Sequence, residues 1–263
     1  MLELAVRLCA QAAEIAFQGP SKAGLVQKPD GSPMTQADRM VQDRILLSIA
    51  EAYPEHAVCA EETVREPASH APLGAARYTW VVDPLDGTRN FVAGVPCVST
   101  SISVLDHGMP VVAAVRVHEL GRTYTATAGG GAARDGRRIR VGRPELYGDL
   151  LLGFASSKDR LTVGVVQRWA KLPGVVLRNT GSTAAHLAWV AEGALAAAFG
   201  KRVMLWDVAA GALLVTEAGG RMTDPRGEEL LPFDLSGDLR GEVPYLAAAP
   251  SVYDRVLGTI GDV

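Results

Sequence analysis

The stretch WVVDPLDGTRNF, Trp80 to Phe91, sets two aspartates close together directly behind an apolar run. Trp80, Val81 and Val82 continue from Tyr78 and Thr79 as a buried strand, which puts Asp83 at its C-terminal end. Open α/β sheets gather their ligand sites at that end. Asp-Pro-Leu-Asp-Gly is good turn chemistry, with a fixed φ at proline and a permissive glycine after Asp86. A tight turn would bring Asp86 round to the same mouth. Carboxylates this close repel each other unless a cation lies between them. Hard divalent cations such as Mg²⁺ take oxygen ligands of this kind, and the Leu85 carbonyl is a further candidate. Gly87 and Thr88 add backbone N–H groups and a hydroxyl. A helix starting there would present its N-terminus to a phosphate.

Leu4, Leu8, Ala12 and Ile15 lie on one stripe and predict an amphipathic helix. QKPDGSPMT reads as turn chemistry. Val41, Ile45 and Ile49 mark a second helix that ends before Pro54. HAVCAEE is a short strand running into acidic residues, and EPASHAPLGA is a polar loop. Val98, Thr100, Ile102 and Val104 alternate with Ser99, Ser101 and Ser103, which predicts a strand with one face inward. Val111 to Val117 alternates again, and GRTYTATAGGGAARDGRRI reads as further antiparallel strands and turns.

The second half alternates in type. LLLGFAS is a strand, RLTVGVVQRWAKL a helix and GVVLRNTG a strand. Ser182 caps a helix through Val190, ALAAAF follows as a strand, and a helix opens at Asp207. PYLAAAP is the last strand, with a final helix from Ser251. The expectation is one unit over residues 1–263. Residues of about 1–145 form helices plus an antiparallel sheet, and about 146–263 form an α/β half with some parallel pairing.

The 263 residues are 48% apolar and 21% charged, with 26 basic against 29 acidic side chains and a net charge of −3. That balance argues against nucleic acid or an anionic membrane as partner. Cys9, Cys59 and Cys97 are odd in number and lack a C-x-x-C pair, so disulfide frameworks and zinc ribbons are not indicated. The N-terminus lacks signal-peptide character and no apolar run is long enough for a membrane span. A soluble, cytoplasmic protein is expected.

Other chemistries fall away. There is no G-x-x-x-x-G-K-[ST] loop, and Gly129–Gly136 is not a dinucleotide fingerprint. The five histidines show no H-x-x-x-H spacing, His186 being read as a non-catalytic helix residue, and no G-x-S-x-G elbow is present. Acidic, metal-assisted hydrolysis remains. Taken alone, Glu61–Glu62 is a solvated pair and Asp207 a helix N-cap. Together with Asp83 and Asp86 they make a metal-binding set.

In order, Glu61–Glu62, DPLDGT, WDVAAG and EAGG resemble the inositol monophosphatase family of lithium-sensitive, Mg²⁺-dependent phosphatases. KPDGSPMTQADR (Lys28–Arg39) and NTGSTAAHLAWVAEGALAAAF extend the resemblance over nearly the whole chain. It implies an α/β (α+β) fold, the layered αβαβα sandwich of inositol monophosphatases and sugar phosphatases, built as a homodimer. It further implies that Glu62, Asp83 and the Leu85 carbonyl hold a first Mg²⁺. Asp83, Asp86 and Asp207 would hold a second, and Glu62 would help with a weaker third. Thr88, with Asp38 behind it, would orient or deprotonate the nucleophilic water. Gly87 and Thr88 would offer backbone donors to the phosphate, and Glu61 would be supporting structure. Four carboxylates and two Mg²⁺ roughly cancel in charge before an anionic substrate enters.

The substrate implied is a small phosphate ester, foremost inositol monophosphate or a related polyol or sugar phosphate. Fructose 1,6-bisphosphate, histidinol phosphate and 3′-phosphoadenosine 5′-phosphate are the alternatives within the family. A catalytically silent metal-binding regulator is the alternative from another class. Inositol-hydrolysing members carry a glutamate shortly before the WD motif, where this chain has Gly200 followed by Lys201 and Arg202. Two basic residues there would suit a second anionic group, or would simply face solvent. Ser156 or Ser157 is expected to line the polyol site.

Overall fold

The computed structural model describes residues 1–18, 24–27, 33–62, 76–142, 149–157, 159–236 and 241–261. The loop expected at EPASHAPLGA and residues 28–32 of the early turn lie outside them.

Helix α1 (Leu2–Gln18) buries Leu4, Leu8 and Ala12 as their spacing requires. A short hairpin, β1 (Val26–Gln27) and β2 (Pro33–Met34), leads to α2 (Gln36–Ala52). Thr35 caps α2 and Asp38 at its third position closes a reciprocal capping box. The large sheet then runs in sequence order. It comprises β3 (Ala57–Ala60), β4 (Tyr78–Asp86), β5 (Ser99–Asp106), β6 (Met109–Val117), β7 (Arg122–Thr127), β8 (Gly131–Arg134) and β9 (Arg137–Arg138). Only β3 and β4 pair in parallel. The short helix α3 (Thr88–Ala93) follows β4.

The second sheet has the order β11-β10-β12-β14-β13. Strands β10 (Leu150–Phe154), β11 (Val175–Arg178) and β12 (Ala197–Gly200) are parallel. Strands β13 (Arg221–Thr223) and β14 (Tyr245–Ala248) complete it antiparallel. Helix α4 (Arg160–Trp169) joins β10 to β11, and α5 (Thr183–Ala191) joins β11 to β12. Helix α6 (Leu205–Glu217) follows β12, and α7 (Pro250–Leu257) follows β14.

Three apolar clusters show how these elements stack. One packs α1 and α2 on β4 and β5, through Leu8, Ile45, Ile49, Trp80 and Ile102. A second packs α5 and α6 between the opposite face of the large sheet and the inner face of the small one, through Leu187, Leu214, Val115, Ala198 and Ala247. The third packs α4 and α7 on the outer face of the small sheet, through Val165, Trp169, Phe199, Leu246 and Val256. The layers are therefore αβαβα, with residues of both halves of the chain in the central cluster.

The structure corrects the reading of β5. Its serine face is not solvated: Ser99, Ser101 and Ser103 are all at most 1% exposed. Helices α5 and α6 cover that face, so the hydroxyls must bond inside the protein. Ser103 Oγ donates to the Val112 carbonyl at 3.0 Å, and Ser101 Oγ lies 3.4 Å from the Trp206 carbonyl. Alternation signals one buried face only when the other meets water, and here a helix layer lies on each side.

Candidate metal centre

The DPLD segment is not a turn but a bulged continuation of β4. Asp83 pairs with Ser101 and Asp86 with Ser99, so two residues of β4, Pro84 and Leu85, face Thr100 alone. In a regular strand, residues three apart point to opposite faces. One extra residue restores the phase and puts Asp83 and Asp86 on the same face. Proline suits a bulge because it has no N–H to leave unpaired. The freed Pro84 carbonyl accepts from Thr100 Oγ1 at 2.7 Å.

Asp207 comes from α6, across the sheet. It occupies the third position of the helix rather than the N-cap, which is Met204. Its Oδ2 accepts from the Met204 N–H at 2.7 Å. Oxygens of Asp83, Asp86 and Asp207 lie within 4.8 Å of one another. Asp83 is 1% and Asp86 9% exposed. Asp86 Oδ2 accepts from Ser182 Oγ and the Ala184 N–H, each at 2.7 Å. Ser99 Oγ in turn lies 2.6 Å from Ser182 Oγ. Asp86 thus sits on the N-terminus of α5 and Asp207 in the first turn of α6, both positive dipole ends.

Burial still prevails over those donors. It pushes the Asp86 carboxyl up to about 6, with Glu61 adding repulsion. Asp207 is raised well above the usual carboxylate range by burial, then by the charge of Asp86. Converging, buried oxygen donors of like charge fit a hard divalent cation, whose charge would replace this repulsion with attraction.

Glu62, the sequence's candidate ligand, follows Glu61 just beyond β3. Its N–H donates to Gln42 Oε1 at 2.9 Å. The charge of the neighbouring Glu61 reaches Asp38, Asp86 and Asp207. The Glu61 N–H donates to the Val82 carbonyl at 3.1 Å, extending the β3–β4 ladder toward the site.

Thr88 Oγ1 lies 3.0 Å from both Asp38 Oδ1 and the Leu85 carbonyl. The far oxygen of Asp38 accepts from the Thr35 N–H at 2.7 Å and from Thr35 Oγ1 at 2.5 Å. Asp38 is fully buried, and burial raises its carboxyl despite these donors. Gly87 adopts φ +95°, and a Cβ there would stand 2.9 Å from the Cys97 carbonyl, so no other residue fits without strain. The loop before α5 closes over it: Asn90 Nδ2 donates to the carbonyls of Cys97 and Thr180, at 2.8 and 2.6 Å. Ser156 Oγ reaches the same loop through Asn179 Oδ1 at 2.8 Å, whereas Ser157 only caps its own turn at Asp159.

Gly200 pairs with Tyr245 of β14. A Cβ at Gly200 would stand 2.7 Å from the Tyr245 ring. The ring therefore fills the space a side chain would need. Arg202 is turned to Glu242, Nε to Oε1 at 2.9 Å, on the surface. Sequence reasoning missed Ser99, Ser182 and Tyr245. The N-cap signal at Ser182 was legible, but not that the cap would bond Asp86.

A sequence model of the inositol monophosphatase family matches residues 1–254. The chain belongs to that family. This inositol monophosphatase-family chain is 36% identical over 241 residues to the Nus factor SuhB of Pseudomonas aeruginosa, covering 86% of each. To inositol monophosphatase 1 of Bos taurus it is 32% identical over 242 residues, covering 89% of this chain and 86% of that one. An IMPase from Thermotoga maritima superposes with a TM-score of 0.85 at 26% identity, over 98% of this chain and 96% of the other. Membership and layer order agree with the sequence analysis. No helix among the described residues is long and apolar enough to cross a membrane.

Proposed function

We propose that this family member is a Mg²⁺-dependent phosphomonoesterase acting on a small polyol or sugar phosphate, with inositol monophosphate the first substrate to try. The observation that supports it best is the convergence of Asp83, Asp86 and Asp207 within 4.8 Å beside the Thr88–Asp38 pair. These three carboxylates, with Glu62 and the Leu85 carbonyl, would hold the metal, and the charge of Glu61 would add to the site's pull on it. Bound Mg²⁺ would supply the Lewis acidity that polarises the phosphoryl group and acidifies water. Thr88 Oγ1 has one proton and two acceptors at 3.0 Å, so its lone pair is open to a water on the metal side. A proton taken from that water can pass through Thr88 to Asp38 Oδ1, whose raised affinity for protons suits it to hold one. The N–H groups of Gly87 and Thr88 would orient the phosphate. Ser156 and the backbone at Gly200 would border the alcohol.

The test is phosphate release with Mg²⁺, with and without lithium. The panel is inositol 1-phosphate, fructose 1,6-bisphosphate, histidinol phosphate and 3′-phosphoadenosine 5′-phosphate. Lithium-sensitive release from one ester, lost in Asp83→Asn with the fold intact by circular dichroism, supports the proposal. Activity of Asp83→Asn within a few-fold of wild type would remove Asp83 from the metal site. A second reading, regulation without turnover, is favoured by the relative named a Nus factor. Mg²⁺ binding with no release from any ester would favour it.

A further inference from the structure

The N-terminus of α5 meets the metal centre at Asp86, and a buried histidine in the first turns of that helix reaches back to the loop before it. His186 is 0% exposed. Helical side chains lean toward the N-terminus, which carries the imidazole back to Thr180. The Thr180 N–H donates to His186 Nε2 at 3.2 Å, and Thr180 Oγ1 lies 2.9 Å from the same atom. An amide N–H can only donate, so Nε2 carries no proton and accepts from both groups. The imidazole proton is therefore on Nδ1. That Nδ1 is buried and has no hydrogen-bond partner among the described residues. Gly153 of β10 packs against this edge of the ring: a Cβ there would stand 3.5 Å from Nδ1. Burial lowers the imidazole's affinity for a second proton and keeps it neutral.

A buried donor without a partner has a cost that an apolar side chain at this position would not carry. The imidazole offsets that cost at its other nitrogen, which takes two donors of the loop between β11 and α5. Helix α3 holds the same residue. Asn90 Nδ2 donates to the Thr180 carbonyl at 2.6 Å, so the amide, hydroxyl and carbonyl of Thr180 are all engaged. Gly181 follows with φ +83°, and a Cβ there would stand 2.6 Å from Asn90 Nδ2. The Gly181 carbonyl lies against Gly87, 3.4 Å from where a Cβ of that glycine would be. Two residues past Thr180, Ser182 Oγ donates to Asp86 Oδ2, and the Ala184 N–H donates to the same oxygen. With Thr180 fixed, the short path to Ser182 has little freedom left.

We propose that His186 is a positioning residue for the metal centre: its Nε2 fixes Thr180, and Thr180 sets where Ser182 and Ala184 meet Asp86. The imidazole acts only through the loop, since its one acceptor is taken by Thr180 and its other nitrogen faces Gly153. The loop geometry stands by itself. The expected effect on Mg²⁺ rests on the reading of the aspartates as a phosphatase metal site.

The experiment compares the unsubstituted chain with His186→Leu, which has no acceptor, and His186→Gln, whose Oε1 can accept from Thr180. In the unsubstituted chain the ring ¹⁵N spectrum should show the proton on Nδ1 and a bare Nε2. That measurement needs no variant, so a proton on Nε2 would overturn the proposal even where His186→Leu does not fold. In metal-free protein, amide hydrogen exchange at Thr180 and Ala184 should quicken about tenfold or more in His186→Leu. It should return to within a few-fold in His186→Gln, and amides of α6 should keep their rates throughout. Mg²⁺ affinity by isothermal titration should fall about tenfold in His186→Leu and recover in His186→Gln. Faster exchange at Thr180 alone, an equal rise over the whole chain, or His186→Gln behaving as His186→Leu would each overturn the proposal. So would unchanged Mg²⁺ affinity in His186→Leu. Absence of Mg²⁺ binding by the unsubstituted chain would instead overturn the metal reading, and the exchange rates would still decide on His186.

Discussion

Glu61 and Glu62 stand side by side just beyond β3, and the family resemblance gives the metal to Glu62. The charge of Glu61 also acts on Asp38, Asp86 and Asp207, and the backbone of Glu62 is held by Gln42. Glu62→Gln is expected to lower Mg²⁺ affinity by about 10–100-fold or more. Glu61→Gln should have the smaller effect, and isothermal titration of both variants measures the difference. The reverse result would give the metal to Glu61 instead. Gly200 offers a second residue-scale test. Adding a methyl group 2.7 Å from the buried Tyr245 ring overpacks the sheet, so Gly200→Ala should cost about 1–3 kcal/mol in urea unfolding. Tyr245→Val in the same chain should recover most of it. If Gly200→Ala alone costs nothing, the ring can move aside.

At the scale of elements, the bulge in β4 and the N-terminus of α5 act together. The bulge turns Asp86 toward the helix layer, and α5 receives it with the Ser182 hydroxyl and the Ala184 N–H. Ser182→Ala removes both a helix cap and a donor to Asp86. A loss of about 1 kcal/mol of stability is expected from the cap, together with a 10–100-fold loss of metal affinity from the freed carboxylate. Unchanged metal affinity would mean that Ser182 only caps its helix. Most elements were legible beforehand, because apolar spacing and cap residues are local signals. The DPLD segment was not. Its residues suit a tight turn, and only the pairing of β4 with β5 makes it a bulge. The serines of β5 were misread for the same reason, since a local pattern does not reveal a second helix layer.

For the whole molecule, two groups of buried ionisable side chains give opposite responses to pH. Burial pushes His118 down to about 3 and His186 to about 4, against about 6.5 for the unfolded chain. The unfolded state then binds more protons below that value, so these residues subtract stability as pH falls from about 6.5 toward 4. Asp86, raised to about 6, and Asp207, also raised, act the other way. The folded protein holds their protons longer, and burying their charged forms costs stability as pH rises through about 6. Comparing melting temperatures with and without Mg²⁺ cancels the histidine contribution. The Mg²⁺-dependent rise in Tm should be small at pH 5 and grow above pH 7, because the metal competes with protons for the same oxygens. A rise independent of pH would mean that Mg²⁺ binds elsewhere.

The sequence by itself determined the order of helices and strands, the family, and three of the carboxylates, since each is written in spacing and in contiguous motifs. Only the tertiary structure decided that Asp83 and Asp86 share a face, that the first turn of α6 brings Asp207 to them, and that Tyr245 closes the space beside Gly200. Those outcomes depend on strand register, on one extra residue opposite Thr100, and on helices packed over both sides of a sheet. They are set by contacts between residues far apart in the chain, which no local pattern encodes.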